Sequence, residues 1–109
     1  MIIWSAKKEK GMFFLKVKGH AEYDVKGKDI VCSAVSSIIL TICNITHSLG
    51  HLLKHTDEEG LFTAIIKCDS LVPIKICTVL MQELIDLEYQ YPDNIKEVEY
   101  VDSRDIISG

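Results

Sequence analysis

The feature that most constrains this fold is a long run of apolar residues at helical spacing. From Asp29 or Ile30 to about Leu53, an apolar side chain returns every three or four residues, which is the pattern of a helix that buries one face. The pattern predicts one long amphipathic helix, with Gly50 as a weak point because glycine disfavours helix interiors. The buried face would comprise Val31, Ala34, Val35, Ile38, Ile42, Ile45, Leu49 and Leu52.

The first eighteen residues predict a β-hairpin. Residues 2–6 and 12–18 are rich in strand-forming residues, and the polar segment between them ends in Gly11. Two such runs joined by a short polar segment with a glycine are typical of antiparallel strands. Because side chains alternate along a strand, one face of the second strand carries Phe13, Leu15 and Val17.

The second half of the chain predicts another strand followed by another helix. Residues 61–68 are apolar and rich in β-branched side chains, which favours a third strand. Asp69 or Ser70 followed by Pro73 marks a helix start, since proline is tolerated in the first turn. An apolar stripe carries this helix to about Tyr89, and its members are Ile76, Cys77, Leu80, Met81, Leu84 and Leu87.

The predicted elements define the fold class. Charged and apolar residues alternate over residues 95–101, which predicts a fourth strand and completes the order ββαβαβ. Four strands and two helices in 109 residues pack most simply as an α+β two-layer sandwich. We therefore expect a four-stranded sheet with both helices on one face, in a single domain covering residues 1–109.

Composition and charge exclude several classes of protein. A hydrophobic fraction of 48% and a charged fraction of 26% exclude a disordered or low-complexity chain. The formal net charge of −4 lacks the basic footprint of a general nucleic-acid binder. No direct nucleic-acid partner is expected.

The sequence contains no recognisable targeting segment. The first residues have no basic stretch before their apolar residues, and no uninterrupted apolar run approaches the roughly 18 residues that span a bilayer. We expect a cytoplasmic protein with no membrane partner. The four cysteines contain no C-x-x-C pair and are expected to be free thiols in a reducing compartment; they are Cys32, Cys43, Cys68 and Cys77.

The connection into the first helix carries the most chemical information. If Asp29 is the N-cap, Cys32 occupies the first helical turn, where backbone N–H groups lack intrahelical partners and the helix dipole is positive. This environment favours the thiolate form of a cysteine, and the same N–H groups can stabilise a tetrahedral oxyanion. On a helical projection Cys32 lies at the margin of the buried face, so it should be reachable.

His20 is the candidate partner of this cysteine. It follows a predicted strand and sits beside Gly19, so its imidazole could lie across the loop from Cys32 and accept the thiol proton. The two would form a Cys/His nucleophilic pair. Ser36 lies one turn after Cys32 on the same helix face, where its hydroxyl could bond the sulfur or a substrate carbonyl. The run between His20 and Lys28, which includes Gly27, has the character of a mobile lid.

Each of these residues also has a purely structural explanation. A cysteine near a helix start is often a small buried hydrophobe, and a histidine after a strand is often a surface residue. Asp29 is fully adequate as an N-cap alone, and could orient His20 only if its side chain is not already capping. Ser36 could simply be solvated. Spacing alone does not show that Cys32 and His20 meet.

A resemblance to a known family favours the catalytic explanation. Gly19-His20-Ala21, followed by Gly27-Lys28-Asp29-Ile30-Val31-Cys32 and Ala34-Val35-Ser36, resembles the signature of the ribosomal-processing cysteine protease family, Prp. The resemblance implies a cysteine endopeptidase that removes the N-terminal extension of a large-subunit ribosomal protein. It implies that Cys32 is the nucleophile and His20 the base, with Gly19, Asp29 and Ser36 supporting. It further implies a homodimer and requires no cofactor.

Two other functions remain open at this point. The first is a non-catalytic, ribosome-associated interaction domain, for which every cysteine would be an ordinary thiol. The second is an amidase or thiol hydrolase that uses the same pair on a different substrate.

Three further features of the long helix bear on function. His47, His51 and His55 recur at four-residue intervals, as in a helical zinc site, but no further ligand lies obviously beside them, and we expect no metal. Cys43 would lie roughly 16 Å along the helix from Cys32, too far for a disulfide. The apolar pair Ile39 and Leu40, at the margin and on the polar side of the helix, marks a possible dimer contact.

Overall fold

The computed structural model describes residues 1–20 and 29–100. Within them the chain forms an α+β fold of five strands and two helices. In chain order these are β1 (Ile2–Glu9), β2 (Met12–Lys18), α1 (Ile30–Ser48), β3 (Leu52–Glu58), β4 (Leu61–Lys67), α2 (Leu71–Gln90) and β5 (Ile95–Glu97). The predicted lid over residues 21–28 lies outside the described residues.

The strands form one mixed sheet in the order β3-β4-β2-β1-β5. Neighbouring strands are antiparallel except β1 and β5, which pair in parallel. The buried side chains of α1 and α2 join those of one sheet face in a single hydrophobic core. The sheet contributes Ile2, Trp4, Phe13, Leu15, Val17, Phe62, Ala64, Ile66 and Ile95 to this core, so the predicted inward face of β2 is confirmed.

The expected four-stranded sheet and the order ββαβαβ are wrong, because the first helix ends earlier than its apolar pattern indicates. α1 stops at Ser48, and Gly50 adopts a φ of +78° that turns the chain away from the helix axis. The following residues, which extend the helical pattern, pair with β4 as the additional strand β3. The order is therefore ββαββαβ. The reversal at Gly50 costs little, because glycine adopts a positive φ without a steric penalty.

The other predicted boundaries differ less. The β1–β2 hairpin turns at Lys10 and Gly11, both with positive φ (53° and 74°), as in the tight turns that connect antiparallel strands. The second helix begins after Ser70, as predicted. The last strand is shorter than residues 95–101, because only Ile95–Glu97 pairs with β1; residue 101 lies outside the described part.

The buried face of α1 is rotated slightly from the predicted stripe. Val31 and Val35 are buried as expected, and so are Ile39 and Thr46. Ile45 and Leu49 are instead exposed at 40% and 50%. The Thr46 hydroxyl is satisfied inside the core by donating to the Ile42 carbonyl at 2.7 Å. The half of the predicted dimer contact formed by Ile39 is therefore inside the core.

By length and composition alone, α1 is a candidate membrane span, with a mean hydropathy of 1.7 over its most apolar window. Core helices of globular domains also meet this test. Here α1 packs its Val31, Val35 and Ile39 side against the sheet and α2.

Candidate active site

The start of α1 is fixed by Asp29. This residue has extended backbone angles, and its Oδ1 accepts a hydrogen bond from the Cys32 N–H at 2.9 Å. The Asp29 carbonyl accepts the next amide, that of Ser33, at 3.1 Å. Asp29 is therefore the N-cap, as expected, and the thiol of Cys32 leaves the helix from its first turn.

The end of β2 is fixed by contacts that only glycine permits. Gly19 has a φ of +94°, and a Cβ there would lie 2.4 Å from the Met1 carbonyl oxygen. Its amide donates to the Gly60 carbonyl at 2.9 Å. These contacts direct His20 over the β3–β4 turn, where its Nε2 lies 3.4 Å from the position that a Cβ on Gly60 would occupy.

His20 and Cys32 line the same cleft, a cavity of about 150 Å³ between the β2 end, the β3–β4 turn and the first two turns of α1. Ser36 and Gly19 line it too. Of the five site residues selected from sequence, four thus border one cavity, and Asp29 is joined to it through the Cys32 amide. His20 and Ser36 are exposed and Cys32 is half-buried. A ligand in the cavity can therefore reach all three side chains.

The other thiols differ in environment from Cys32. All four cysteines are free. Burial, and to a lesser extent the nearby Asp57 carboxylate, raise the pKa of Cys43. Burial and a hydrogen bond with the neighbouring Cys68 thiol raise the pKa of Cys77 to about 12. Protonated thiols are weak nucleophiles, so neither Cys43 nor Cys77 suits nucleophilic chemistry near neutral pH.

Three polar or turn residues of the cleft were not predicted, because β3 was not predicted. Asp57 and Glu58, at the end of β3, and Gly60, in the turn that follows, all line the cavity. The signal was present in the sequence, since a two-residue loop ending in glycine between β-rich runs is typical of a hairpin. Because the predicted helix runs to about Leu53, the acidic run before Gly60 was assigned to no strand.

The three histidines at four-residue intervals do not share a helix. His47 is in the last turn of α1, His51 follows the helix, and His55 lies on β3. The three histidines therefore cannot form the zinc site that four-residue spacing on one helix would allow. Among residues 1–20 and 29–100, no group of three or more His, Cys, Asp or Glu side chains is placed to hold a metal ion.

Comparison with known proteins agrees with the signature around this cleft. A family model described as "Cysteine protease Prp" matches residues 1–96. The chain belongs to this family. It is therefore a cysteine protease, a hydrolase, and the resemblance inferred from the signature residues is confirmed at the level of the family.

Solved structures of similar fold support the same assignment of architecture. The ribosomal processing protease Prp of S. aureus, in complex with a covalently linked product peptide, matches with a TM-score of 0.81 and 21% identity, covering 92% of this chain and 100% of that one. The structure of its complex with a substrate peptide matches with a TM-score of 0.67 and 21% identity, again covering 92% of this chain and 100% of that one. SMU.848 from Streptococcus mutans matches with a TM-score of 0.67 and 20% identity, covering 94% of this chain and 96% of that one. At such identities these matches show the fold. A search of curated proteins gave no match.

Proposed function

We propose that this protease is an endopeptidase that removes the N-terminal extension of a large-subunit ribosomal protein, with Cys32 as nucleophile and His20 as general base. The observation that carries the proposal is the cleft itself. In a chain of a cysteine protease family, the one half-buried thiol at a helix start shares an open cavity with an imidazole. Nucleophile and base at one cavity are what acyl transfer requires.

The reaction follows from these two groups. His20 accepts the thiol proton, and the Cys32 sulfur attacks the scissile carbonyl to form a tetrahedral intermediate. Collapse of this intermediate breaks the C–N bond, and the imidazolium returns its proton to the departing amine. A water molecule, deprotonated by His20, then hydrolyses the thioester and regenerates the thiol.

Asp29 and Ser36 have supporting roles in this mechanism. The Cys32 amide donates to the Asp29 carboxylate, so it can hold an oxyanion only after releasing that acceptor. We therefore assign Asp29 as a positioning residue that holds the helix start. Ser36 lines the same cleft one turn further along, and we assign to its hydroxyl a hydrogen bond to a substrate carbonyl.

The proposed substrate rests on the similar structures. The S. aureus relative is described as an essential ribosomal processing protease and was solved with both a product and a substrate peptide. From that similarity we assign to this cleft a peptide from the N-terminal extension of a ribosomal protein. We further propose a cytoplasmic homodimer, with Leu40 as a candidate contact, because it is an apolar side chain 51% exposed on α1.

Incubation with the extended ribosomal protein tests the proposal. The chain should shorten the substrate, whereas Cys32→Ala and His20→Ala should abolish or strongly reduce cleavage. Cys43→Ala is the matched control, since Cys43 is also half-buried on α1, and it should retain activity. Cleavage that survives both active-site substitutions would reject the mechanism.

The same assay separates the two alternatives. A non-catalytic interaction domain would bind the substrate and leave it intact in every variant. An amidase or thiol hydrolase would release product from a small amide or thioester while leaving the ribosomal protein uncut.

A further inference from the structure

The sheet face opposite the helices takes no part in the cleft. Residues aligned across β1, β2, β4 and β3 form rows on this face. One row is Lys7, Phe14, Ile65 and Lys54, and the next is Ser5, Lys16, Thr63 and Thr56. Two apolar side chains thus lie between lysines, in a chain whose overall charge is negative.

A concavity on this face could hold a short peptide segment. A cavity of about 290 Å³ is bordered by Lys16, Lys54, Thr56, Thr63 and Ile65, among other residues, and by Tyr100. The wall is part apolar and part cationic, so it matches a segment that carries both apolar and acidic side chains.

The chain itself enters this surface from the β5 edge. After β5, the Val98 amide donates to the Trp4 carbonyl at 2.8 Å, and the Tyr100 ring then lies 6.1 Å from the Phe14 ring. The Lys7 ammonium lies 5.1 Å from the Tyr100 ring centroid and 5.4 Å from that of Phe14. The Tyr100 side chain therefore lies over the open face.

The residues that follow have the matching composition. Residues 101–109 read Val-Asp-Ser-Arg-Asp-Ile-Ile-Ser-Gly, which combines three apolar side chains with two aspartates. From β2 to β3 is two strand spacings, about 10 Å, and an extended chain covers this distance in roughly three residues. These residues also lie beyond residue 96, where the region shared with the family ends.

We propose that the open sheet face is a docking surface for an acidic, apolar segment, and that its occupant is residues 101–109 of the same chain. In this arrangement Asp102 or Asp105 pairs with Lys16 and Lys54, and apolar side chains of the segment cover Ile65. The docked segment closes the second face of the sheet and so stabilises the fold. The proposal is independent of the assigned catalytic pair.

Zero-length carbodiimide cross-linking of the full chain tests this proposal, because it joins only carboxylates and amines in direct contact. A mixture of ¹⁴N and ¹⁵N protein separates links within a chain from links between chains. We expect intrachain peptides that join Asp102 or Asp105 to Lys16 or Lys54. The exposed pair Lys67–Asp69, at 3.6 Å, serves as the positive control for the reaction.

The outcomes separate the possible occupants. Loss of the linked peptides in the double variant Asp102→Asn/Asp105→Asn supports the proposal. Mixed-isotope products would show that a second copy covers the face, and would overturn it. The proposal is also overturned if the Lys67–Asp69 control pair is cross-linked but no link to residues 101–109 forms. The same holds if residues 101–109 are cross-linked equally well to Lys75 on α2.

A stability cycle gives a second measurement on intact chains. Lys54→Glu should lower the urea midpoint of the natural chain, and this shift should shrink once Asp102 and Asp105 are asparagine. Lys75→Glu, on an exposed helical position, should show no such dependence. A Lys54→Glu shift of the same size in both backgrounds would contradict the proposed contact.

Discussion

Replacing Gly60 with alanine tests whether the position of the His20 ring matters for cleavage. Gly60 has a φ of +76°, and an added Cβ would lie 3.4 Å from His20 Nε2. An L-residue in this region costs about 1–2 kcal/mol, and each kcal/mol lowers Tm by roughly 4–8 °C in a domain of about this size. The added methyl group would also touch the imidazole at the limit of ordinary van der Waals contact, so the ring shifts by at most a few tenths of an ångström.

Gly50 provides the matched control. Its φ of +78° is nearly the same, but a Cβ there would meet nothing within 4 Å. Gly50→Ala should therefore lose similar stability without any contact in the cleft. Because a misplacement of about 1 Å can cost about 10²-fold in rate, a shift of a few tenths of an ångström at His20 should lower kcat by roughly two- to fourfold, in Gly60→Ala only.

The comparison needs two measurements on the same preparations. Thermal melting followed by circular dichroism gives the stability change, and initial rates of peptide cleavage well below both midpoints give the catalytic change. Equal Tm losses with unequal kcat support the assigned role of the ring. If Gly60→Ala cleaves as fast as Gly50→Ala, the position of His20 over this turn is irrelevant to catalysis.

Three other predictions address the helix cap and the thiols. Asp29→Ala should lower the free energy of unfolding by about 1 kcal/mol, since the Cys32 amide loses its acceptor, whereas Asp29→Asn should lose less; urea unfolding measures both, and equal losses would argue against the cap. At pH 7, iodoacetamide should modify Cys32 before Cys43 and Cys77, whose raised pKa values keep them protonated; peptide mass mapping giving the reverse order would contradict this. Because the folded-state pKa of Cys77 is about 12, its contribution to stability is complete below the unfolded value of about 8.5 and is lost as pH rises towards 12. Urea midpoints should accordingly fall more steeply above about pH 9 in the natural chain than in Cys77→Ala, and parallel profiles would exclude this linkage.

The error in the predicted fold has a local physical cause. Leu49 and Leu52 continue the apolar spacing of α1, so periodicity alone extends the helix past its true end at Ser48. What ends the helix is the left-handed turn at Gly50, and what makes the next residues a strand is their pairing with β4. Periodicity reports which side chains are apolar, and it cannot report which partner strand is available.

The local geometry at the start of α1 was predicted better than the fold around it. Asp29 as N-cap and Cys32 in the first turn depend on residues within one helical turn, so the sequence contained the whole argument. Asp57 and Gly60 were missed because they reach the cleft only through β3. The misplaced helix boundary therefore removed one wall of the cavity from the predicted site, while the residues of the local motif were unaffected.

The two members of the proposed pair are held by different kinds of contact. Cys32 is positioned locally, by the hydrogen bond from its own amide to Asp29. His20 is positioned by distant parts of the chain, since Gly19 bonds to Gly60 and packs against the Met1 carbonyl. The contact at Cys32 needs only the first turn of α1, whereas the contacts that direct His20 need both the start of β1 and the β3–β4 turn in place. The two side chains of the proposed pair therefore line one cleft only after both parts of the fold have formed.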